Sequence, residues 1–257
     1  MKNFQHITLP KLILLIVSIT QIISPAFSSF ENGTDANNTD PQFTPAGYTF
    51  AIWGVITFLA LCYGIYQILP NRKNEALHQQ INAKLIILYL LFSAWLFAYT
   101  QDWIIFTVII FLGMFYFAYS VFQQIIPQRN QLTKYEKLFL EAQVGLYLGW
   151  SSFAIFANTG AALKFYGISD LGTSGVIWQT ILLTGALINT TFILYKTKAN
   201  YFYGGTIIWA FVGVFFGLRG ESDTVFLQIA TIIALCTFSV VFYRFREQII
   251  KKHSNNP

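Results

Sequence analysis

The tryptophans are the residues whose type and spacing stand out chemically. There are six, one in each of six successive apolar segments: Trp53, Trp95, Trp103, Trp150, Trp178 and Trp209. Flat indole rings stack on planar ligands and line apolar cavities. Six rings from separate segments therefore predict a tryptophan-rich cavity that binds a flat or apolar ligand. Tryptophans that only pack helices or mark the membrane interface are the alternative, and the sequence leaves both open.

Residues that could support catalysis or bind a metal are sparse by comparison. Cys62 and Cys236 lie far apart in apolar stretches and lack the spacing of metal ligands. We expect His6, His78 and His253 to lie outside the membrane spans, on the cytoplasmic side. No nucleophile, base or metal-ligand constellation is recognisable. We therefore expect no catalytic residue and no metal site, and the sequence favours a non-enzymatic role without deciding it.

The composition defines the surroundings of these residues. Of 257 residues, 55% are hydrophobic and only 11% are charged, and the mean hydropathy is +0.53. Soluble domains carry roughly 25% charged residues. The chain has too little polar surface for a water-soluble globule, so we interpret it as an integral membrane protein whose first partner is the lipid bilayer.

Apolar segments of spanning length divide the chain into about eight membrane helices. Long uninterrupted runs favour helices over a β-barrel, so the expected fold class is an all-α, polytopic transmembrane bundle. The third and fourth segments are separated only by Gln101–Asp102, which predicts a tight helical hairpin. The segments lie near residues 8–27, 48–69, 84–100, 102–125, 139–164, 173–195, 201–219 and 223–243.

The first segment, 8–27, has two interpretations. Its basic start, apolar core and following small residues are typical of a cleavable signal peptide. Thr8 and Pro10 form a good helix start, which favours a retained first helix. We prefer the retained helix, and removal would leave the orientation of the remaining helices unchanged.

Lysines and arginines predict the orientation of the bundle. If the N-terminus is cytoplasmic, all 16 fall on the cytoplasmic side except Lys164 and Arg219. Acidic residues such as Asp40 and Asp170 then lie outside. This distribution predicts a multi-pass protein of the cell membrane (plasma or inner membrane) with both termini in the cytoplasm. The net charge of +5 is explained by topology, so we expect no nucleic-acid partner.

The fifth segment, 139–164, carries two distinct faces. At 100° per residue, Tyr147, Trp150 and Asn158 share one arc, and Gly145 and Gly149 lie opposite. Glycines four residues apart let another backbone approach closely. An amide facing lipid is costly. Both faces therefore seek protein or ligand, which predicts a central position for this helix.

Two later segments repeat these features more weakly. Trp178 and Asn189 share a face of the sixth segment, which is typical of an ordinary interhelical hydrogen-bond stripe. Gly213 and Gly217 repeat the four-residue glycine spacing in the seventh. Matches of this kind are common, so they indicate packing and not a particular function.

Three motifs, taken in order, resemble the TspO/MBR (translocator protein, tryptophan-rich sensory protein) family. Pro45–Trp53 reads P-A-G-Y-T-F-A-I-W and is similar to that family's P-P-G-W-V-F-x-P-x-W at the start of the second helix. Tyr147–Asn158 is similar to its fifth-helix Y-L-x-W-x-x-F-A-x-x-x-N pattern. Ser93-Ala94-Trp95 stands at its third-helix N-x-x-W element. Tyr48 replaces a tryptophan of the family pattern.

The resemblance implies a five-helix bundle whose cavity binds porphyrins, haem-like tetrapyrroles or sterols. It also implies a domain division, with a TspO-like five-helix region at 1–167 and a three-helix C-terminal extension with a short cytoplasmic tail at 168–257. Carried over residue by residue, the pocket would be lined by Tyr48, Phe50, Trp53, Trp95, Tyr147, Trp150, Phe153 and Asn158.

The expected function is a membrane sensor or carrier for a hydrophobic planar ligand, porphyrin- or haem-like or sterol-like. A secondary transporter of a small apolar or neutral molecule is the alternative. No cofactor is assigned beyond a porphyrin or haem-like ligand, and a homodimer is left open.

Overall fold

The structure is a computed structural model that describes residues 8–27, 40–70, 73–218 and 224–254. His6, Arg219 and the side chain of His253 lie outside what it describes, so the expectations for these residues stay predictions.

Each of the eight predicted segments forms a helix, which confirms the all-α fold of a polytopic bundle. Within the described residues, six stretches are long and apolar enough to cross a membrane, and Tyr201–Gly217 is apolar but shorter. The helices are α1 (Leu9–Ile23), α2 (Ile52–Ile68), α3 (Glu75–Thr100), α4 (Ile104–Ile125), α5 (Ala142–Phe165), α6 (Gly172–Lys196), α7 (Tyr201–Gly217) and α8 (Thr224–Ser254).

The ends of α3 and α8 differ most from the prediction. α3 begins at Glu75 and not near residue 84, because its polar first turns bury Leu77, His78 and Ile81 at helical spacing. α8 continues past residue 243 to Ser254. A hydropathy scan recognises neither extension, since both are rich in polar residues.

The predicted hairpin between α3 and α4 is confirmed. Asp102 has a φ of 56°, in the left-handed region that Asp tolerates better than most residues. The Trp103 backbone N–H donates to the Ala98 carbonyl at 2.9 Å and closes the turn. Three residues, 101–103, therefore reverse the chain between helices of 26 and 22 residues.

A capped segment, residues 133–141, leads into α5, and we refer to it as the start of α5. Thr133 and Glu136 form a capping box, in which each side chain bonds the backbone N–H of the other. A π-helical turn follows at Lys137–Glu141 and leads into Ala142–Phe165. Arg129, which precedes the capping box, pairs with the last residue of this turn, and its Nε lies 2.7 Å from Glu141 Oε1. The capped turn fixes where α5 starts and anchors its first charged residues.

Most of α5 is buried, as expected for a central helix. At Gly149, a Cβ would lie 2.7 Å from the Cβ of Thr206 and 3.1 Å from the Tyr203 carbonyl oxygen. Such distances are shorter than ordinary contacts between carbon atoms. The glycine side of α5 therefore permits the close approach of α7, as the spacing predicts.

The described chain divides into two compact units. The first comprises α1 and Ala51–Leu148, and the second comprises the segment up to Phe50 that precedes α2 and the chain from Gly149 onward. The domain boundary placed at residue 167 concerns correspondence with five-helix proteins and stays a prediction.

In the second unit, the segment before α2 packs along α7. The Ala46 N–H donates to the Gly213 carbonyl at 2.9 Å, and Trp209 Nε1 donates to the Thr49 carbonyl at 2.9 Å. A Cβ at Gly217 would overlap the Thr44 carbonyl oxygen. The glycine pair of α7 thus lets this segment approach closely, with the Thr49 side chain against Gly213 and backbone against Gly217.

Candidate functional site

Three of the eight predicted pocket residues lie together in the first unit. The ring centroid of Trp53 is 5.6 Å from that of Trp95 and 5.5 Å from that of Tyr147. Phe92 lies 4.6 Å from Trp53, and Phe111 lies 5.1 Å from Trp95. All five side chains are buried. We call these residues, which come from α2, α3, α4 and α5, the aromatic cluster.

A buried amide borders the aromatic cluster. The Tyr147 hydroxyl donates to Gln21 Oε1 of α1, and Gln21 has no exposed surface. Among the described residues, Gln21 Nε2 has no hydrogen-bond partner. An unpaired buried donor costs about 1–3 kcal/mol. By contrast, Tyr89 and Gln143 satisfy each other at 2.6–2.9 Å. The Gln21 amide is therefore a polar group at this cluster that a ligand could satisfy.

Four of the remaining predicted residues form aromatic contacts in the second unit. The Phe50 ring packs edge-on against Trp150 at 5.4 Å, and Phe153 packs against Phe211 at the same separation. Trp150 and Phe153 are buried. Tyr48 is 48% exposed and contacts Trp209 at 5.7 Å.

Asn158 donates to its own helix. Its Nδ2 bonds the Ala154 carbonyl at 2.9 Å, one turn back along α5. The amide that links helices is Asn189 of α6, whose Nδ2 donates to the Ser152 carbonyl at 3.0 Å. The interhelical hydrogen bond expected on the sixth segment is therefore present, and a ligand role for Asn158 stays a prediction.

Trp103, Trp178 and Trp209 lie outside the aromatic cluster. Trp103 is 51% exposed at the α3–α4 turn. Trp178 Nε1 donates to the Ser169 carbonyl at 3.0 Å, and Trp209 Nε1 binds the backbone before α2. The six tryptophans thus serve different roles, and Trp53 and Trp95 are the pair that the first unit brings into contact.

A buried polar chain in the first unit was not predicted. Gln67 Nε2 donates to the Tyr63 hydroxyl at 2.6 Å, which lies 2.7 Å from His78 Nδ1. His78 Nε2 lies 2.8 Å from Glu136 Oε1. The assignment of hydrogens that satisfies each group makes Tyr63 the donor to Nδ1 and places the histidine proton on Nε2, facing the carboxylate. We call these four residues the polar chain.

His78 does not lie in the loop that the predicted segment bounds imply, and its position relative to the bilayer stays a prediction. His78 belongs to α3, which is long and apolar enough to span, and it has no exposed surface. The sequence places the start of this segment near residue 84, because the first turns of α3 are polar. The readable signal was Thr133-Lys134-Tyr135-Glu136, a capping box before an apolar run, because it marks a helix start that could face α3.

Hydrogen bonds hold Glu136 in its ionised form. Burial alone would raise the pKa of this carboxyl, but donors from His78, the Thr133 backbone and Asn74 outweigh it and lower the pKa to about 2. Asn74 Nδ2 and the Thr133 N–H each lie 2.8 Å from Oε2. The Glu136 carboxylate therefore links three parts of the unit. These are His78 in α3, Asn74 directly before α3, and Thr133 at the start of α5.

The helices and their composition define a polytopic integral membrane protein. The family model for TSPO-like protein matches residues 6–243, so the chain belongs to the TSPO-like protein family. The resemblance stated from the motifs is confirmed, and the match runs on through α6, α7 and most of α8. Neither the search of curated proteins nor that of solved structures gave a match.

Proposed function

We propose that this TSPO-like protein binds a hydrophobic planar ligand, porphyrin-like, haem-like or sterol-like, as a membrane sensor or carrier. The observation that carries the proposal is the aromatic cluster with the unpaired amide of Gln21 at its border. Membership of the family supports the membrane setting and the class of site, and leaves the ligand to be identified by experiment.

The chemistry of the cluster suits such a ligand. Ring faces bind planar molecules through burial and offset stacking, and the amide can donate to a carbonyl or carboxylate of the ligand. Centroids 5.5–5.6 Å apart are in direct contact. A planar ligand therefore binds against the border of the cluster, beside Gln21, or displaces one ring.

The five predicted residues of the second unit keep their proposed role as ligand contacts. Phe50, Trp150 and Phe153 offer ring surfaces, and Trp150 is in contact with Phe50. Trp150→Phe tests their part of the proposal separately from the aromatic cluster.

A titration tests the proposal. Protein in detergent micelles is titrated with protoporphyrin, and binding is followed by the porphyrin absorbance, so that loss of a tryptophan does not remove the signal. We expect saturable binding that Gln21→Leu weakens about threefold to tenfold, the value of one neutral hydrogen bond. Trp95→Phe should also weaken it, and Trp103→Phe, at an exposed tryptophan, is the control.

Binding that does not saturate would contradict the proposal, and so would equal affinities of the Gln21→Leu, Trp95→Phe and Trp103→Phe variants. Proteoliposomes then separate a sensor from a carrier or a secondary transporter. Movement of the ligand across the bilayer identifies a carrier, binding without movement identifies a sensor, and flux of a small neutral molecule without porphyrin binding identifies the transporter.

We further propose that the protein resides in the cell membrane with both termini in the cytoplasm. The distribution of lysine and arginine supports this orientation.

A further inference from the structure

A cavity of about 550 Å³ lies in the first unit, apart from the aromatic cluster. Its volume is in the range of small-molecule sites. The end of α2, the connection to α3 and the start of α5 surround it. It is lined by Cys62, Ile65, Tyr66, Leu69, Pro70, Lys73, Thr133, Tyr135 and Phe139.

The lining combines apolar side chains with polar and charged ones. Cys62, Ile65 and Phe139 form an apolar wall, whereas Lys73 and Thr133 bring a cation and a hydroxyl. One apolar spanning stretch ends at Ile68 and the next begins at Glu75. The cavity therefore lies where hydrocarbon gives way to the headgroup region, and the wall and the cation match those two layers.

The acidic groups at this end of the unit are already engaged. Lys11 Nζ lies 2.6 Å from Glu75 Oε1, and Arg129 pairs with Glu141. The Glu136 carboxylate accepts the donors of the polar chain and of the α5 cap.

Lys73 differs from Lys11 and Arg129, which are both paired with carboxylates. In the part of the chain that the structure describes, it has no ion pair or hydrogen bond, and its side chain is exposed at the cavity. A second lysine, Lys134, lies 5.0 Å over the Tyr135 ring that also lines the cavity. The positive charge here is thus available to an anion from outside the chain.

We propose that this cavity binds one anionic phospholipid of the surrounding bilayer. An acyl chain lies along Cys62, Ile65 and Phe139, and the phosphate lies at Lys73. Anionic lipids concentrate in the cytoplasmic leaflet, on the side to which the sequence assigns Lys73. This site is separate from the aromatic cluster and takes a different class of ligand.

Cys62 provides a reporter inside the cavity. The chain has two cysteines, so Cys236→Ser leaves Cys62 as the single thiol. The full-length variant is placed in nanodiscs of phosphatidylcholine, with or without phosphatidylglycerol, and alkylation by N-ethylmaleimide is timed. A bound lipid covers the thiol, so we expect slower alkylation in the anionic discs. The reciprocal variant, Cys62→Ser, reports on Cys236 of α8, which does not line the cavity and whose rate should be the same in both discs.

Charge variants in the Cys236→Ser background test the role of Lys73. Lys73→Gln should raise the phosphatidylglycerol concentration needed for protection about fivefold, the attraction of one lysine near an anionic surface. Lys137→Gln removes the same charge from an exposed position that does not line the cavity, and should leave protection unchanged.

Three results would overturn the proposal. Equal alkylation of Cys62 in both kinds of disc would exclude a bound anionic lipid. Protection that survives Lys73→Gln undiminished would remove the phosphate contact. Equal loss of protection in the Lys73→Gln and Lys137→Gln variants would assign the effect to the general surface charge of the membrane.

Discussion

Replacing the buried Glu136 by glutamine should destabilise the protein more than the loss of one charge from an exposed ion pair does. The carboxylate accepts two donors at Oε2 and the His78 N–H at Oε1. In Glu136→Gln, the new amide can offer its oxygen to Asn74 and Thr133, but its NH₂ then faces the His78 N–H. Moving the histidine proton to Nδ1 only transfers the conflict to the Tyr63 hydroxyl.

The magnitude follows from these contacts. A hydrogen bond to a charged group is worth about 1.5–3 kcal/mol, and a buried donor without a partner costs about 1–3 kcal/mol. We therefore expect the free energy of unfolding to fall by about 3 kcal/mol.

The assay is unfolding in mild detergent by titration with sodium dodecyl sulfate, followed by far-UV circular dichroism. Glu247→Gln is the matched control, because it removes the same charge from an exposed pair with Lys251, four residues on. Such helix pairs contribute about 0.3–0.5 kcal/mol. If Glu136→Gln lowers the free energy of unfolding by no more than Glu247→Gln does, the polar chain does not stabilise the fold as we expect.

Three further predictions follow from the same structure. The pKa of Glu136 is about 2 in the fold against an ordinary 4.5, so its stabilisation is present above pH 4.5 and is lost as the pH falls through about 2; unfolding titrations should show this loss, and Glu136→Gln should lack it. Gly217→Ala should destabilise the protein by about 1–3 kcal/mol because its Cβ overlaps the Thr44 carbonyl, whereas Gly205→Ala, with open space around it, should be neutral or stabilising in the same assay. A reporter enzyme that is active only in the cytoplasm should be active when fused after Pro257, and an inactive fusion would reverse the proposed orientation.

The fold could be predicted well from the sequence wherever hydropathy alone decides it. Apolar runs of spanning length predict all eight helices, and two polar residues between long runs predict the α3–α4 hairpin. The polar first turns of α3 could not be found this way, because burial there follows spacing and not composition. His78 was misplaced for that reason, and with it the whole polar chain.

The candidate site was predictable in part. Trp53, Trp95 and Tyr147 were named from motifs on three segments, and the first unit brings their rings together. Gln21 could not be predicted as a site residue. Segment 8–27 is typical of a signal peptide or a membrane span, and a single amide in such an apolar run does not indicate a binding site. Asn158 was predicted as a pocket residue from its place on an aromatic face. Its side-chain amide instead donates a hydrogen bond to a carbonyl of its own helix.

Because of the π-helical turn at Lys137–Glu141, the orientation of Glu136 depends on the number of residues in this segment as well as on their types. Such a turn holds one residue more than the α-helix it interrupts. Deleting one residue here would rotate Glu136 by about 100° around the axis of α5 and turn it away from His78. The hydropathy profile of the segment would change little. Relatives in which this segment is one residue shorter or longer are therefore expected to have lost the histidine–carboxylate contact, even where both residues are retained.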